Sequence, residues 1–281
     1  MKFSIITVCL NAEKEIGATI QSIVDQTDTE FEYLIKDGGS KDGTVHLAES
    51  FRPTFEKRGI PYRILSESDK GIYDAMNQAV REARGEWLIF MNAGDLMARA
   101  DVLQSVKDSG ALIDSDVVYG DTIVCDQEWY MLKKGNPVET IRNSIPFFHQ
   151  SVFTRKELFA QGGYSLQYRI CSDYLFYLQR YLEGNRFVYL PLTISIFDKQ
   201  GVSSNGKLAT QERIRLHEEL GVADAQTLPA LRKRLKHIER QEFIHRHITR
   251  FLPEQLLIRR RVRRKIAEGW KRREAFEEQT K

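Results

Sequence analysis

Four short polar segments carry the residue types from which chemistry could be built. They are Asn11-Ala12-Glu13, Asp37-Gly38-Gly39-Ser40-Lys41-Asp42-Gly43-Thr44, Glu67-Ser68-Asp69-Lys70-Gly71 and Asn92-Ala93-Gly94-Asp95. Carboxylates and amides can accept N–H groups and hold a hard cation through oxygen, and lysine suits a ligand carrying negative charge. Taken singly, each segment has a plainer explanation. Asp37-Gly38-Gly39 could be a turn whose glycines supply positive φ, and Asp42 or Thr44 could cap a helix.

The elements around these segments decide between the two readings. Each segment follows an apolar run (3–8, 31–37, 62–66 and 87–91) whose composition predicts a strand. Between the runs, 13–26, 44–51 and 72–84 have helical periodicity, with Ile16, Ile20, Ile23 and Val24 on one face of the first. Strand–helix alternation with near-continuous apolar strands predicts a mostly parallel α/β sheet with helices on both faces. Such sheets bind ligands beyond the carboxyl ends of their strands. Four polar loops then meet at one edge, and the binding reading overtakes four separate turns. From about 116 the pattern changes, with strands expected at 116–121, 122–132, 187–190 and 193–197 and a helix at 172–181. Helix is expected from Lys207 onward, broken near Leu228-Pro229 and at Pro253.

In this order and spacing the segments resemble the family 2 glycosyltransferases, which adopt the Rossmann-like GT-A fold. The likeness rests on Ser4-Ile5-Ile6-Thr7-Val8 with Asn11, on 36–44, on 66–77 and on 90–95. It continues through Gly162-Gly163-Tyr164, Ser172-Asp173 and Gly201-Val202-Ser203. The resemblance implies a nucleotide-sugar donor along Thr7, Asn11, Glu13, Asp37, Glu67, Asp69, Lys70 and Asn92. Asp37 would accept the imide N–H of a uracil and so favour a UDP-sugar, with Thr7 near the same base. Asp95 would hold Mg²⁺ or Mn²⁺ against the diphosphate, although the family's usual carboxylate pair is here Asn92 and a single Asp95. Asp173 would be the base that takes the acceptor's proton in an inverting displacement. His149 and Gln150 would face the acceptor, and Ser203 would sit on a closing loop. A glycan or a lipid-linked acceptor in cell-surface synthesis is implied, with hexosyl or N-acetylhexosaminyl transfer. A sugar nucleotidyltransferase would need a glycine- and lysine-rich loop after the first strand, which Asn11-Ala12-Glu13-Lys14 is not. A non-catalytic scaffold binding sugar nucleotide or membrane is the third reading.

The bulk composition fits an ordinary globular protein: 281 residues, 42% hydrophobic and 29% charged. The expected division is a catalytic domain over 1–206, with halves 1–115 and 116–206, and a helical extension over 207–281. No run is apolar and long enough for a membrane span or a signal peptide. Cys9, Cys125 and Cys171 form no CxxC pair, which argues against a zinc site or a disulfide framework and for a reducing, cytoplasmic setting.

The net charge of +3 conceals an asymmetry. Residues 231–281 hold 17 Lys and Arg against 7 Asp and Glu, leaving 25 against 32 in the rest of the chain. In this tail Ile258, Val262, Ile266 and Trp270 recur every four residues opposite a run of arginines and lysines. Such a helix suits an anionic membrane surface on the inner face of the cell membrane, and equally suits packing on the protein or on a second copy of the chain. No nucleic-acid module accompanies the charge, so no nucleic-acid partner is expected.

Overall fold

The computed structural model describes residues 1–198, 205–247 and 262–280. The chain forms two compact units, Met1–Ile123 with Lys133–Phe197, and Val124–Leu132 with Asp198–Lys281. The second unit thus takes a hairpin tip out of the middle of the chain as well as its last part.

The first half of the first unit runs β1 (Phe3–Cys9), α1 (Ile16–Val24), β2 (Phe31–Asp37), α2 (Thr44–Ser50), α3 (Arg52–Lys57), β3 (Tyr62–Ser66), α4 (Ile72–Glu82) and β4 (Trp87–Phe90). The chain continues through β5 (Leu96–Met97), α5 (Val102–Asp108) and β6 (Val117–Asp126), passes into the second unit at Val124 for β7 (Trp129–Lys133), and returns for β8 (Val152–Arg155), α6 (Ser172–Leu182) and β9 (Phe187–Asp198). The sheet order through the first unit is β6-β8-β4-β1-β2-β3. Strands β1 to β4 are parallel, and β8 is antiparallel to both β4 and β6. The sheet is thus mixed and mostly parallel, as the alternating pattern predicts.

Every position of β1 and β2 is buried, which is why neither strand alternates polar with apolar residues. Ile16, Ile20 and Ile23 of α1 lie fully within the core on one side of the sheet. The parallel register pairs Cys9 with Asp37 and Asp37 with Ser66, so three strands end level. Chain order reverses across β1, which lies between β2 and β4, and the ligand crevice of an open α/β sheet lies at such a reversal.

Two expected breaks are absent. β6 runs without interruption through Asp121 and Thr122 and turns only at Gln127, whose φ is 61°. β9 likewise runs through Pro191, which is exposed and needs no ladder donor there.

The second unit contains the β6–β7 hairpin tip, α7 (Gly206–Leu220), α8 (Thr227–His247), β10 (Lys271–Arg272) and α9 (Arg273–Thr280). Helix α7 starts at Asn205, whose side chain accepts the Leu208 amide at 3.0 Å, and stops at Gly221 in the left-handed region. The break expected at Pro229 therefore lies earlier. Pro229 sits in the first turn of α8, where its missing N–H costs no intrahelical bond. Pro253 and Ile258 lie outside the described residues.

The four-residue stripe in the tail does not form one helical face. Helix covers 262–267, and Gly269 turns the chain at φ 84°. Trp270 is then buried while Ile266 is 59% exposed, the reverse of a continuous amphipathic helix. Lys265, expected to face water, is buried. Its ammonium lies 3.0 Å from Asp126 and over the rings of Trp129 and Trp270 at 5.8 and 5.5 Å. β10 pairs antiparallel with β7, and the Phe276 and Tyr130 rings pack with centroids 5.8 Å apart. This stretch is therefore held by the hairpin tip. Among the described residues no helix is long and apolar enough to cross a membrane.

Candidate functional site

The loops after β1 and β2 are sewn together by short hydrogen bonds. Asn11 adopts φ 51°, its Oδ1 accepts the Lys41 amide at 2.8 Å, and its own amide donates to Ser40 Oγ at 2.7 Å. The Glu13 carboxylate accepts the Gly43 amide at 3.1 Å, and the Ala12 amide donates to Thr44 Oγ1 at 2.8 Å.

Asp37 is the hub of this edge and is 0% exposed. Its Oδ2 accepts the Gly39 and Ser40 amides, each at 3.0 Å, and the Ser66 hydroxyl at 2.7 Å, while Oδ1 accepts the Ser40 hydroxyl. Burial pushes the carboxyl pKa up, but the Ser40 and Ser66 hydroxyls and the Ser40 and Gly39 amides outweigh it and hold the pKa below its ordinary value. In this structure the Asp37 carboxylate is engaged by its own loop and by Ser66. Thr7 is fully buried, with Oγ1 2.8 Å from the Tyr33 hydroxyl and 2.6 Å from Met91 O. The Cys9 thiol beside Asp37 is pushed up to about 12 by burial and by the Asp37 charge, so it stays protonated.

Lys36, which the sequence pattern did not single out, joins the second loop to the third. Its Nζ is buried, donates to Asp37 O at 2.8 Å and Glu67 O at 2.5 Å, and lies 3.5 Å from Asp69 Oδ2. A lysine interrupting a continuous apolar strand was the available signal. Glu67 thus acts through its backbone, since its amide also donates to Asp37 O at 3.1 Å, while its side chain is exposed. Asp69 accepts the Gly71 amide at 2.9 Å and presses on Gly38, where a Cβ would stand 2.6 Å from Asp69 Oδ2. A side chain there would have to displace the Asp69 carboxylate. Lys70 is exposed at the same turn.

The fourth loop offers oxygen donors. The Asp95 amide donates to Asn92 O at 2.9 Å, and the Asp95 side chain is buried. Asp95 does not cap the following helix, because that position belongs to Asp101 ahead of α5. Asn92 Oδ1 is buried and, among the described residues, has no hydrogen-bond partner. No cluster of three potential His, Cys, Asp or Glu ligands exists among the described residues. One carboxylate and one orphaned amide oxygen fit a hard cation that takes its remaining ligands from a phosphate, not a cage made by protein alone.

Asp173 lies in the first turn of α6. Its Oδ1 accepts the Tyr174 amide at 2.8 Å and lies 3.0 Å from the Tyr73 hydroxyl, which also donates to Ile170 O at 2.6 Å. Tyr73 opens α4, directly after the third loop, so it links that loop to Asp173. The sequence pattern missed it because a tyrosine on the apolar face of a helix looks like packing. Asn77, one turn further on, clamps the Gly-Gly-Tyr segment: Nδ2 donates to Tyr164 O and Oδ1 accepts the Tyr164 amide, both at 2.8 Å. A Cβ on Gly163 would fall 2.3 Å from Asn77 Oδ1, which explains that glycine.

His149 is held among aromatic rings. Its ring stacks on Phe90 with centroids 5.1 Å apart, and Nε2 is 2.8 Å from the Tyr164 hydroxyl. Burial lowers its pKa to about 4, so the ring is neutral near pH 7. Gln150 is also buried, and Ser203 lies outside the described residues. An open pocket of about 570 Å³, lined by Met1, Arg84, Gly85, Glu86 and Phe159, lies at the amino ends of β1 and β4 and not at the loops above.

A family model described as glycosyl transferase family 2 matches residues 4–175. A PGL/p-HBAD biosynthesis glycosyltransferase of Mycobacterium bovis is 33% identical over 227 residues, covering 78% of this chain and 86% of the relative. An uncharacterized glycosyltransferase of Mycobacterium tuberculosis is 29% identical over 220 residues, covering 72% and 77%. Among solved structures, a part of S. aureus TarS in complex with UDP-GlcNAc is similar with TM-score 0.59 and 21% identity, covering 91% of this chain and 77% of that one. A Pyrobaculum calidifontis mannosyltransferase in complex with GDP-Man and Mn²⁺ has TM-score 0.62 and 18% identity, covering 83% and 69%. The structural likenesses carry the fold, which is the GT-A fold expected from the four loops.

Proposed function

The chain belongs to glycosyl transferase family 2, and on that premise we propose that it moves a sugar from a uridine diphosphate donor to an acceptor hydroxyl with inversion. The observation that carries this reading is the 3.0 Å contact between Tyr73 and Asp173, which ties a carboxylate to the loop edge where the donor would lie. The acceptor oxygen attacks the anomeric carbon, the bond from that carbon to the diphosphate oxygen breaks, and Asp173 receives the hydroxyl proton. Tyr73 and Tyr174 engage Oδ1 of Asp173, which fixes the orientation of the carboxylate that takes this proton.

On the donor side, Asp37 shapes the loop and Asp69, with Oδ1 already on Gly71, offers its remaining acceptor capacity to the base. Lys70, exposed at the same turn, meets the diphosphate charge. Asp95 and Asn92 would hold Mg²⁺ or Mn²⁺, whose chemistry is to neutralise the charge that builds on the leaving diphosphate. The M. bovis relative's name, a PGL/p-HBAD biosynthesis glycosyltransferase, supports a biosynthetic glycosyl transfer; the proposed group is hexosyl or N-acetylhexosaminyl, and the proposed acceptor a glycan or a lipid-linked molecule.

The test is a panel of UDP-, dTDP- and GDP-sugars followed by ligand-observed NMR with and without Mn²⁺. Uridine donors should bind, and more tightly with the metal. Preference for GDP-sugars would overturn the base assignment, and no binding by any donor would overturn the transferase reading.

A further inference from the structure

Helix α8 in the second unit separates its charges by face. Leu231 is buried and Leu235 and Ile238 are half-buried along one side. Its two described acids lie toward α7, where Lys207 Nζ is 3.1 Å from Glu242 and 3.9 Å from Glu239. Arg232 reaches Glu218 of α7 at 2.7 Å. On the opposite side Lys233, Lys236, Arg240 and Phe243 follow one another at intervals of three, four and three, which aligns them on one helical face. All four are exposed, Phe243 by 60%, and none of the three cations has an acidic partner among the described residues.

From this we infer that the outer face of α8 docks on a bilayer of anionic phospholipid, with the three cations among the headgroups and Phe243 at the acyl boundary. A row of cations alone would suit any polyanion. The exposed aromatic ring at its end specifies a partner with an apolar layer beneath the charge. The two described acids of α8 lie off this face, beside Lys207. Among the described residues of the tail the row lies on α8, while the stretch around Trp270 and Phe276 is packed on the hairpin tip. The row stands apart from the proposed transfer reaction, since none of its residues lies in the donor or base sites.

The test uses the full chain in co-sedimentation with phosphatidylglycerol-containing vesicles and with pure phosphatidylcholine vesicles. The wild type should bind the anionic vesicles and release with added salt. The triple variant Lys233→Glu, Lys236→Glu, Arg240→Glu should lower the partition at least about a hundredfold, about fivefold per cation. Phe243→Ala should lower it about tenfold. Circular dichroism and UDP-sugar binding should be unchanged in both variants, which separates this result from a failure of the fold or of the donor site. A wild type that ignores anionic vesicles, or a triple variant that binds like the wild type, would overturn the proposal. So would Phe243→Ala binding like the wild type while charge reversal abolishes vesicle and heparin binding alike, because the face would then be a general polyanion surface.

Discussion

The loops after β1 to β4 and the segment from His149 to Leu182 hold their polar groups in different ways. In the first region a carboxylate is satisfied by amides and hydroxyls from neighbouring turns, as Asp37 is by Gly39, Ser40 and Ser66. In the second, tyrosines far apart in the chain do the work: Tyr73 reaches Asp173, and Tyr164 reaches His149. The difference is between a self-contained scaffold and a coupled network. Damage to the first should appear as lost stability and donor affinity, and damage to the second as lost turnover.

The largest effect should come from Asp173→Asn, which should reduce kcat about a thousandfold while donor affinity measured by calorimetry stays nearly unchanged. Retained turnover would remove Asp173 as base and the distinction with it. Next, Asp37→Asn should destabilise the chain by about 3 kcal/mol in urea unfolding at pH 7, because several buried donors lose their charged acceptor. The folded pKa of Asp37 is lowered, so its contribution is complete above the unfolded value of 3.8 and fades as pH falls through the lower folded value. The same Asp37→Asn change should abolish that acid dependence, and a variant that kept it would place the effect elsewhere.

His149 gives a separate pH window. Its folded pKa, about 4, lies below the ordinary 6.5, so the fold prefers the neutral ring. Its contribution is complete above 6.5 and is lost as pH falls toward 4. Because the ring is only half-buried, the expected loss is about 2 kcal/mol, less than the full shift would give. His149→Gln should flatten the stability profile across that window. The smallest effect is expected for Tyr73→Phe: about tenfold in kcat, no change in donor affinity, and a displaced acid limb of the pH–rate profile. An equal loss in donor affinity would show that Tyr73 supports the donor scaffold and not the base.

The same contrast explains what the sequence could disclose. Asp37-Gly38-Gly39-Ser40 and Asn92-Ala93-Gly94-Asp95 announce themselves because Asp37's amide partners, Gly39 and Ser40, and the Asn92–Asp95 contact lie within a few residues, with Gly39 and Gly94 at positive φ. Lys36 and Tyr73 act across 31 and 100 residues, so their partners are not visible nearby in the chain, although a lysine on an apolar strand was itself a signal. For Thr7 the likeness to the family suggested a place near the base, and in the structure its Oγ1 meets the Tyr33 hydroxyl and Met91 O. In the tail, the four-residue spacing from Ile258 to Trp270 implied one helix. Gly269 marked where that helix stops, and its φ of 84° turns Trp270 inward.

Direct displacement assisted by Asp173 fixes the anomeric configuration of the first product, which can be measured. Water can replace the acceptor, so an α-linked UDP-sugar that binds in the donor panel can be hydrolysed and followed by proton NMR before mutarotation. The β anomer should appear first, at a rate sharply reduced in Asp173→Asn. Early release of the α anomer would contradict inversion and the role assigned to Asp173.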